Sequence, residues 1–528
     1  MADPLRVEAI TVVGDRIRWA GSLEDCRTAA GHDREERDLN GRTLMPGFVD
    51  AHSHPLMLGQ TQSWLDVGPR VAPSIPALIA VLHERAHQLP PGVPLRAFGF
   101  DPRVTEELHE PLASDLDVAA TDREIYIMNV SGHGGSLNSF GLAAHGITTQ
   151  TPDPRGGRLG RNPDGTPDGL VMDAACDLLT GPDGVKIGNH GPNFHLPETA
   201  DVAAQQLDGA IRSFLRAGIT TVVDAQVSRR ELETYIAANE AGRLAVRVNM
   251  LLISAVLDEV LRLGLVGRLG DERLAILGIK LYADGSLGAC TAYFPDGYAS
   301  DPHNHGVLYH EPDEFRSLLW RAHGAGLKTA THAQSPTAIG LVIDAIEAAQ
   351  SERPRRDMRH SIEHCGLPTD EEIERIRRAS IVPVSQPQHH RAFGDGVART
   401  VGEDLAQRLN PIGLYARAGI PVVLSSDAPV VLPRPLESVQ AAVDRRTVNG
   451  TVLGGPELRI DVLTALRGYT IGAAYAARRE DLVGSLEPGK LADLAVLSAD
   501  PMSVPVEQLG SIDVEETWVG GRLVPRND

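Results

Sequence analysis

From about residue 203 to Asp427 the chain alternates short apolar runs with helix-like ones, and this rhythm limits the fold more than any other feature. Strand-like runs fall at 218–225, 246–253, 275–282, 328–333, 359–365, 381–386 and 421–427. Helix-like segments at 203–217, 228–242, 312–325, 338–351, 370–379 and 409–418 separate most of them. Strands that return through a helix pair in parallel. One further strand stands earlier, from Phe48 to Ala51, bounded by Pro46-Gly47 and Pro55. Eight such units predict an α/β fold of the (β/α)8 TIM-barrel kind. An open doubly wound sheet is the alternative.

The earliest strand runs into His52-Ser-His54. Alternate residues of a strand share a face, so both imidazoles point the same way, spaced to grip one metal ion. His303-Asn-His305 repeats the spacing among Asp, Pro, Asn and Gly, with no strand to orient it, and reads as a surface loop. What separates the first pair is its company. Lys280 falls near the end of the fourth strand, His332 of the fifth, His364 of the sixth and Asp427 of the eighth. In a barrel these ends open on one face, where active sites of this fold lie. Four histidines and an aspartate gathered there predict a metal centre with positions open to water. Imidazole and carboxylate without thiolate suit Zn2+, with Mn, Fe, Co or Ni as alternatives.

The remaining chain supplies appendages. Residues 1–45 carry a hairpin pattern around Gly14-Asp15, and 485–528 carry strands around Gly520-Gly521. Neither end can hold a core alone, which predicts one β-sandwich built from both, enclosing a barrel over 46–484. Residues 56–202 are rich in Pro and Gly and predict an insertion over the barrel mouth, with a helix near 75–89 and a strand near 124–130. Within it, Ser131-Gly-His-Gly-Gly-Ser-Leu-Asn138 reads as a flexible loop carrying His133.

Composition excludes several classes. A formal charge of −20 over 528 residues opposes binding to nucleic acid or anionic membrane. No apolar run reaches membrane-span length, and the first residues lack the basic and apolar regions of a signal peptide. Cys26, Cys176, Cys290 and Cys365 are scattered, with no C-x-x-C pair, so a reducing cytoplasm is expected. Lysine occurs only at 186, 280, 328 and 490, so Lys280 at a strand end is less easily read as solvated charge.

These pieces resemble the amidohydrolase superfamily, and within it the YtcJ-like, amidohydrolase-3 branch related to N-substituted formamide deformylases. The matching stretches are Met45-Pro-Gly-Phe-Val-Asp-Ala-His-Ser-His54, Gly278-Ile-Lys-Leu-Tyr-Ala-Asp-Gly-Ser-Leu-Gly288, Arg359-His-Ser-Ile-Glu-His364 and Ser385-Gln-Pro-Gln-His389. They continue with 419–429 and 484–494, in family order over nearly the whole chain. The resemblance implies a hydrolase with one or two divalent ions. His52, His54 and Asp427 would hold the first, His332 and His364 a second, and Lys280, if carboxylated, would bridge them. Catalysis would rest on Asp427, Lys280 and His364, with His133, Gln386 and His389 as substrate or supporting contacts. Two positions depart from the family pattern. His332-Ala-Gln-Ser-Pro336 replaces a usual Gly-Asp pair, and Asp173 stands where a Glu is common.

The activity expected is hydrolysis of an amide-like C–N bond (linear amide, N-acyl, N-formyl or cyclic amide) in a small molecule. Metal-dependent decarboxylation or isomerisation on the same barrel is the alternative, separable because only hydrolysis takes up solvent oxygen. A non-catalytic scaffold is disfavoured by the complete ligand set. The expected partner is a small-molecule substrate, and a homo-oligomer, a dimer first, is the expected assembly.

Overall fold

The structure, a computed structural model, describes residues 6–525. Seven regular strands form the barrel wall: β1 (Phe48–Ser53), β2 (Ile219–Val227), β3 (Arg247–Ile253), β4 (Leu274–Tyr282), β5 (Lys328–Ala333), β6 (Ser361–His364) and β7 (Val382–Val384). They neighbour one another in sequence order, and every pair is parallel. β1 to β3 and β5 to β7 are buried at every position, which is why they read as near-continuous apolar runs.

The eighth expected strand, 421–427, is not regular. Pro421 has no N–H, and the Leu424 N–H donates to Gly468 O at 3.1 Å instead of to a barrel neighbour. The segment still closes the wall. Ser385 N–H donates to Val423 O and Ser425 N–H to Ser385 O, each at 3.0 Å. On the other side Asp427 N–H donates to His52 O and His54 N–H to Ala428 O, each at 2.8 Å.

β4 carries a bulge. Met250 pairs with Ile276, but Leu251 pairs with Gly278, leaving one extra residue on β4. The bulge shifts the alternation by one, so Leu277 and Lys280, three residues apart, share a face. Leu277 clusters there with Val223, Leu251, Ala330 and Ala477, while Ile279 and Leu281 join the large core beneath the helices.

Helices Ala200–Arg216, Arg229–Glu240, Pro336–Glu352 and Asp370–Arg378 cover that core. Each begins at a capping hydroxyl, from Thr199, Ser228, Ser335 and Thr369, worth about 1 kcal/mol apiece. The helix Pro387–Val401 that follows β7 is not legible in the sequence, where its glycines and polar residues hide it.

The insertion is more ordered than the sequence suggests. Strands Leu65–Asp66, Leu95–Phe100, Ile125–Asn129, Gly134–Leu137, Gly157–Arg161 and Pro167–Asp173 form one mixed sheet with its own apolar clusters. The expected flexible loop 131–138 is corrected by the buried strand Gly134–Leu137. Its glycines serve close approach, not freedom: a Cβ on Gly135 would lie 2.0 Å from Ile127 O.

Strands from both chain ends meet at the side of the barrel. Thr43–Pro46 pairs with Leu494–Leu497, which pairs with Val514–Val519. The hairpin Ala9–Val13 and Arg16–Gly21 joins through Ile17 N–H to Lys490 O. Ile17, Ala492 and Leu494 share an apolar cluster with Ile10, Val12, Leu44 and Trp518. Arg247, at the start of β3, grips both oxygens of Asp493 at 2.7 and 2.9 Å, with both side chains buried. Removing one member of such a pair strands a buried charge, at a cost of about 3–5 kcal/mol. Asp493→Ala should therefore lose that much in denaturant titration, and Arg247→Met combined with Asp493→Leu should recover most of it. Equal stability of Asp493→Ala and the parent would contradict the tie.

Candidate active site

Barrel closure fixes the first part of the site. Because β1 bonds directly to the 427–428 backbone, the His52 and His54 rings converge on the Asp427 carboxylate. His54 Nε2 lies 3.2 Å and His52 Nε2 3.4 Å from Asp427 Oδ1. His389, from the helix after β7, places Nε2 3.6 Å from Asp427 Oδ2. His364 ends β6 with its ring centroid 5.0 Å from that of His52. The ligating atoms of His52, His364 and Asp427 lie within 4.8 Å of one another.

Two of these side chains are aimed by strained backbone. His364 has φ 69° and Asp427 φ 63°, left-handed values that cost a non-glycine residue on the order of 1 kcal/mol or more. Such strain persists only where surrounding structure imposes it, and here it turns both side chains into one cavity.

A second layer fixes which ring nitrogen is free. His52 Nδ1 meets Glu363 Oε2 at 2.5 Å, leaving Nε2 toward Asp427. His364 Nδ1 donates to Gln386 Oε1 at 2.8 Å, leaving Nε2. His332 Nε2 donates to Gly285 O at 3.0 Å, leaving Nδ1, and its ring lies 4.4 Å from that of His364. His133 Nδ1 donates to Asp173 Oδ1 at 2.8 Å, and Tyr309 Oη donates to the same oxygen at 2.5 Å. The His133 ring lies 5.4 Å from that of His332, so the insertion reaches the barrel mouth.

Burial sets the charge states. It pulls the His332 and His364 imidazoles well below their ordinary range, and His54 and His389 to about 4. Neutral rings are the form that ligates metal. His52 moves the other way: burial and Lys280 pull it down, but Asp427 and Glu363 on its two nitrogens raise it overall. Burial alone would push Asp427 up, yet the rings of His52, His54 and His364 hold its carboxyl well below the usual range.

Lys280 is wholly buried on β4, with Nζ 4.6 Å from the Tyr282 ring centroid and no hydrogen-bond partner. Burial pushes it down to about 8 against the pull of Glu363, Asp427 and Asp224. His54 Nδ1 and His389 Nε2 are likewise buried without a partner. Orphaned buried nitrogens are costly in a finished fold, and His389 Nε2 lies 3.6 Å from Asp427 Oδ2. They fit a divalent cation among them.

The sequence-derived residues therefore divide. His52, His54, His133, His332, His364, His389 and Asp427 line one cavity. Lys280 lies in the wall beneath it. Gln386 does not face the cavity: wholly buried, it donates from Nε2 to Ser425 Oγ at 2.9 Å and positions His364. At the departure 332–336, Gln334 lines the cavity and Ser335 caps the next helix. Sequence reasoning gave Glu363 no role. Its place beside His364 in Ser361-Ile-Glu-His364 was visible, but nothing local shows that it reaches across the barrel to His52.

This barrel and its cluster define a hydrolytic enzyme. The chain belongs to the amidohydrolase family, whose model matches residues 35–525. As such it is an enzyme acting on carbon–nitrogen bonds other than peptide bonds. The chain is 28% identical over 524 residues to an N-substituted formamide deformylase of Arthrobacter pascens, covering 98% of this chain and 94% of the relative. It is also 28% identical over 529 residues to the putative amidohydrolase YtcJ of Bacillus subtilis (strain 168), covering 98% and 96%. Among solved structures, an uncharacterized metal-dependent hydrolase from Pyrococcus horikoshii OT3 superposes with a TM-score of 0.74 at 25% identity, over 94% of each chain.

Glu363 gives the site its sharpest local test. Losing a carboxylate behind a ligating imidazole lowers metal affinity by about 10–100-fold. Glu363→Gln should show that loss in chelator competition, and unchanged affinity would contradict its role behind His52.

Proposed function

We propose that this protein is a metal-dependent amidohydrolase that cleaves an amide-like C–N bond of a small molecule by hydrolysis. The observation that carries the reading is the convergence of His52, His364 and Asp427 ligating atoms within 4.8 Å at the barrel mouth, with His54 beside them. His52, His54 and Asp427 would hold one ion, His332 and His364 a second, and Lys280, as its carbamate, would bridge them. Zn2+ suits the imidazole and carboxylate set best. A bound divalent ion supplies Lewis acidity toward the carbonyl oxygen and makes nearby water more acidic.

The protein's own groups supply the rest. Asp427, whose carboxylate is ionised and reaches the cavity, takes a proton from the attacking water and delivers it to the leaving nitrogen. His133, locked by Asp173 so that Nε2 faces the cavity, offers a contact to the substrate. Gln386 holds the His364 ring in orientation. Lys280 sits where burial favours a neutral amine, the form that adds to CO2 with loss of one proton. A division of the chain goes with this reading: a barrel over 46–484, a pocket wall over 56–202, and one β-sandwich from 1–45 and 485–528, of which 1–5 and 526–528 lie outside the described residues. A reducing cytoplasm is the compartment that suits the four separate thiols. Among the described residues no helix is long and apolar enough to cross a membrane.

The test is metal analysis of purified protein together with a screen of N-formyl, N-acyl and cyclic amides before and after chelation. Bound divalent metal and amide turnover that chelation abolishes and metal restores are expected; turnover indifferent to chelation would overturn the reading. Lys280→Arg, whose guanidinium cannot be carboxylated, should lose metal and turnover. Lys280→Ala should regain part of both with short carboxylic acids. Full metal occupancy and normal turnover in Lys280→Arg would remove the bridge and leave a site of histidines and Asp427.

A further inference from the structure

One cation at the cavity is not used by the chemistry above. Arg103 comes from the insertion, is 7% exposed, and lines the same cavity as His389 and Asp427. Its Nε and Nη2 grip the two oxygens of Asp101 at 2.7 and 2.8 Å, which fixes the guanidinium plane. Its carbon Cζ lies 4.4 Å from the centroid of the Phe393 ring, so one face is stacked. Gly396 leaves room for its stem: a Cβ there would lie 3.0 Å from Arg103 Cβ. The Nη1 edge donates to no described residue.

A second unspent donor meets it. Ser286 Oγ accepts from Gly288 N–H at 3.0 Å, and its own proton has no acceptor among the described residues. The space between the two donors exists because residue 288 is glycine. A Cβ on Gly288 would lie 2.7 Å from Arg103 Nη1 and 3.3 Å from Ser286 Oγ. A rigid guanidinium edge and a hydroxyl, turned toward one gap with no protein acceptor in it, form a cradle for an oxyanion.

The cradle also has a fixed place relative to the reacting bond. His389 and Phe393 are four apart on helix Pro387–Val401, so they lie on one face a turn apart. His389 touches Asp427 and Phe393 touches Arg103. An anionic group held by Arg103 therefore sits roughly one helical turn, about 5 Å, further along the cavity than His389. That is the reach of a carboxylate a few bonds from an amide.

We propose that Arg103, with Ser286 across the gap left by Gly288, binds a carboxylate of the substrate, so that the amides cleaved are carboxylate-bearing ones of the N-acyl amino acid class. The inference rests on the amide-hydrolysis reading and narrows it. Bidentate fixing by Asp101 and stacking by Phe393 hold the guanidinium ready before substrate arrives, so little ordering cost is left for binding.

The test uses the metal-loaded protein and a panel of N-formyl and N-acetyl amino acids, each paired with its own C-terminal carboxamide. kcat/KM for each pair and calorimetric Kd are measured for wild type, Arg103→Gln and Gly288→Ala. Wild type should prefer at least one carboxylate over its carboxamide by about 10²-fold, and both variants should bring that ratio to within a few-fold. Arg103 as a mere packing residue would lower both members of a pair together and leave the ratio standing, which overturns the proposal. A wild type that prefers no carboxylate overturns it as well. Tight carboxylate binding that depends on Arg103, without cleavage of any amide, would sustain the cradle and refute amide hydrolysis instead.

Discussion

Four backbone hydrogen bonds close this barrel, and the two on the β1 side build its active site. Asp427 N–H to His52 O and His54 N–H to Ala428 O bring the first strand's histidines and the last segment's carboxylate into contact across more than 370 residues of chain. A barrel left open at this seam would separate the two halves of the ligand set. Closure is therefore both a fold constraint and a catalytic one. The irregular eighth segment fits that double duty, since Leu424 bonds outward to Gly468 and Asp427 takes a left-handed φ of 63° that a regular strand would forbid.

Around this seam the protein commits one nitrogen of each critical ring. Glu363 takes His52 Nδ1, Gln386 takes His364 Nδ1, Gly285 O takes His332 Nε2 and Asp173 takes His133 Nδ1. Each partner fixes a tautomer and a ring plane at once. Burial keeps the His332 and His364 rings neutral, so the free lone pairs point into a preformed cavity. The insertion's sheet completes that cavity with His133 and Arg103, carried on a scaffold with its own apolar cores rather than on a loose lid.

Much of this was legible in the sequence, for physical reasons that differ by element. The parallel strands are buried on both faces and leave near-continuous apolar runs, and His52-Ser-His54 stands out because period two puts both rings on one side. The insertion was legible only in part: the helix expected near 75–89 and the strand expected near 124–130 are present, but Gly134 and Gly135, read as part of a flexible loop, lie in a buried strand where a Cβ would collide with neighbouring backbone. Helix Pro387–Val401 was hidden by its polar content. Gln386 faces His364 and Ser425, away from the cavity, because a residue's strand-end position does not tell which neighbour its side chain reaches. Glu363 reaches His52 and Arg103 stacks on Phe393, partners distant in sequence, and a single chain carries no local signal of such pairings.

The central claim is that solvent attacks an amide carbon at this barrel mouth. Turnover of a cleaved amide by the metal-loaded protein in water enriched in 18O tests it most directly. The account predicts one 18O atom in the released carboxylic acid, no label in the amine, and loss of the reaction in Asp427→Asn. A product formed without solvent oxygen, or with release of CO2 from the substrate skeleton, would contradict hydrolysis and assign the barrel to another chemistry.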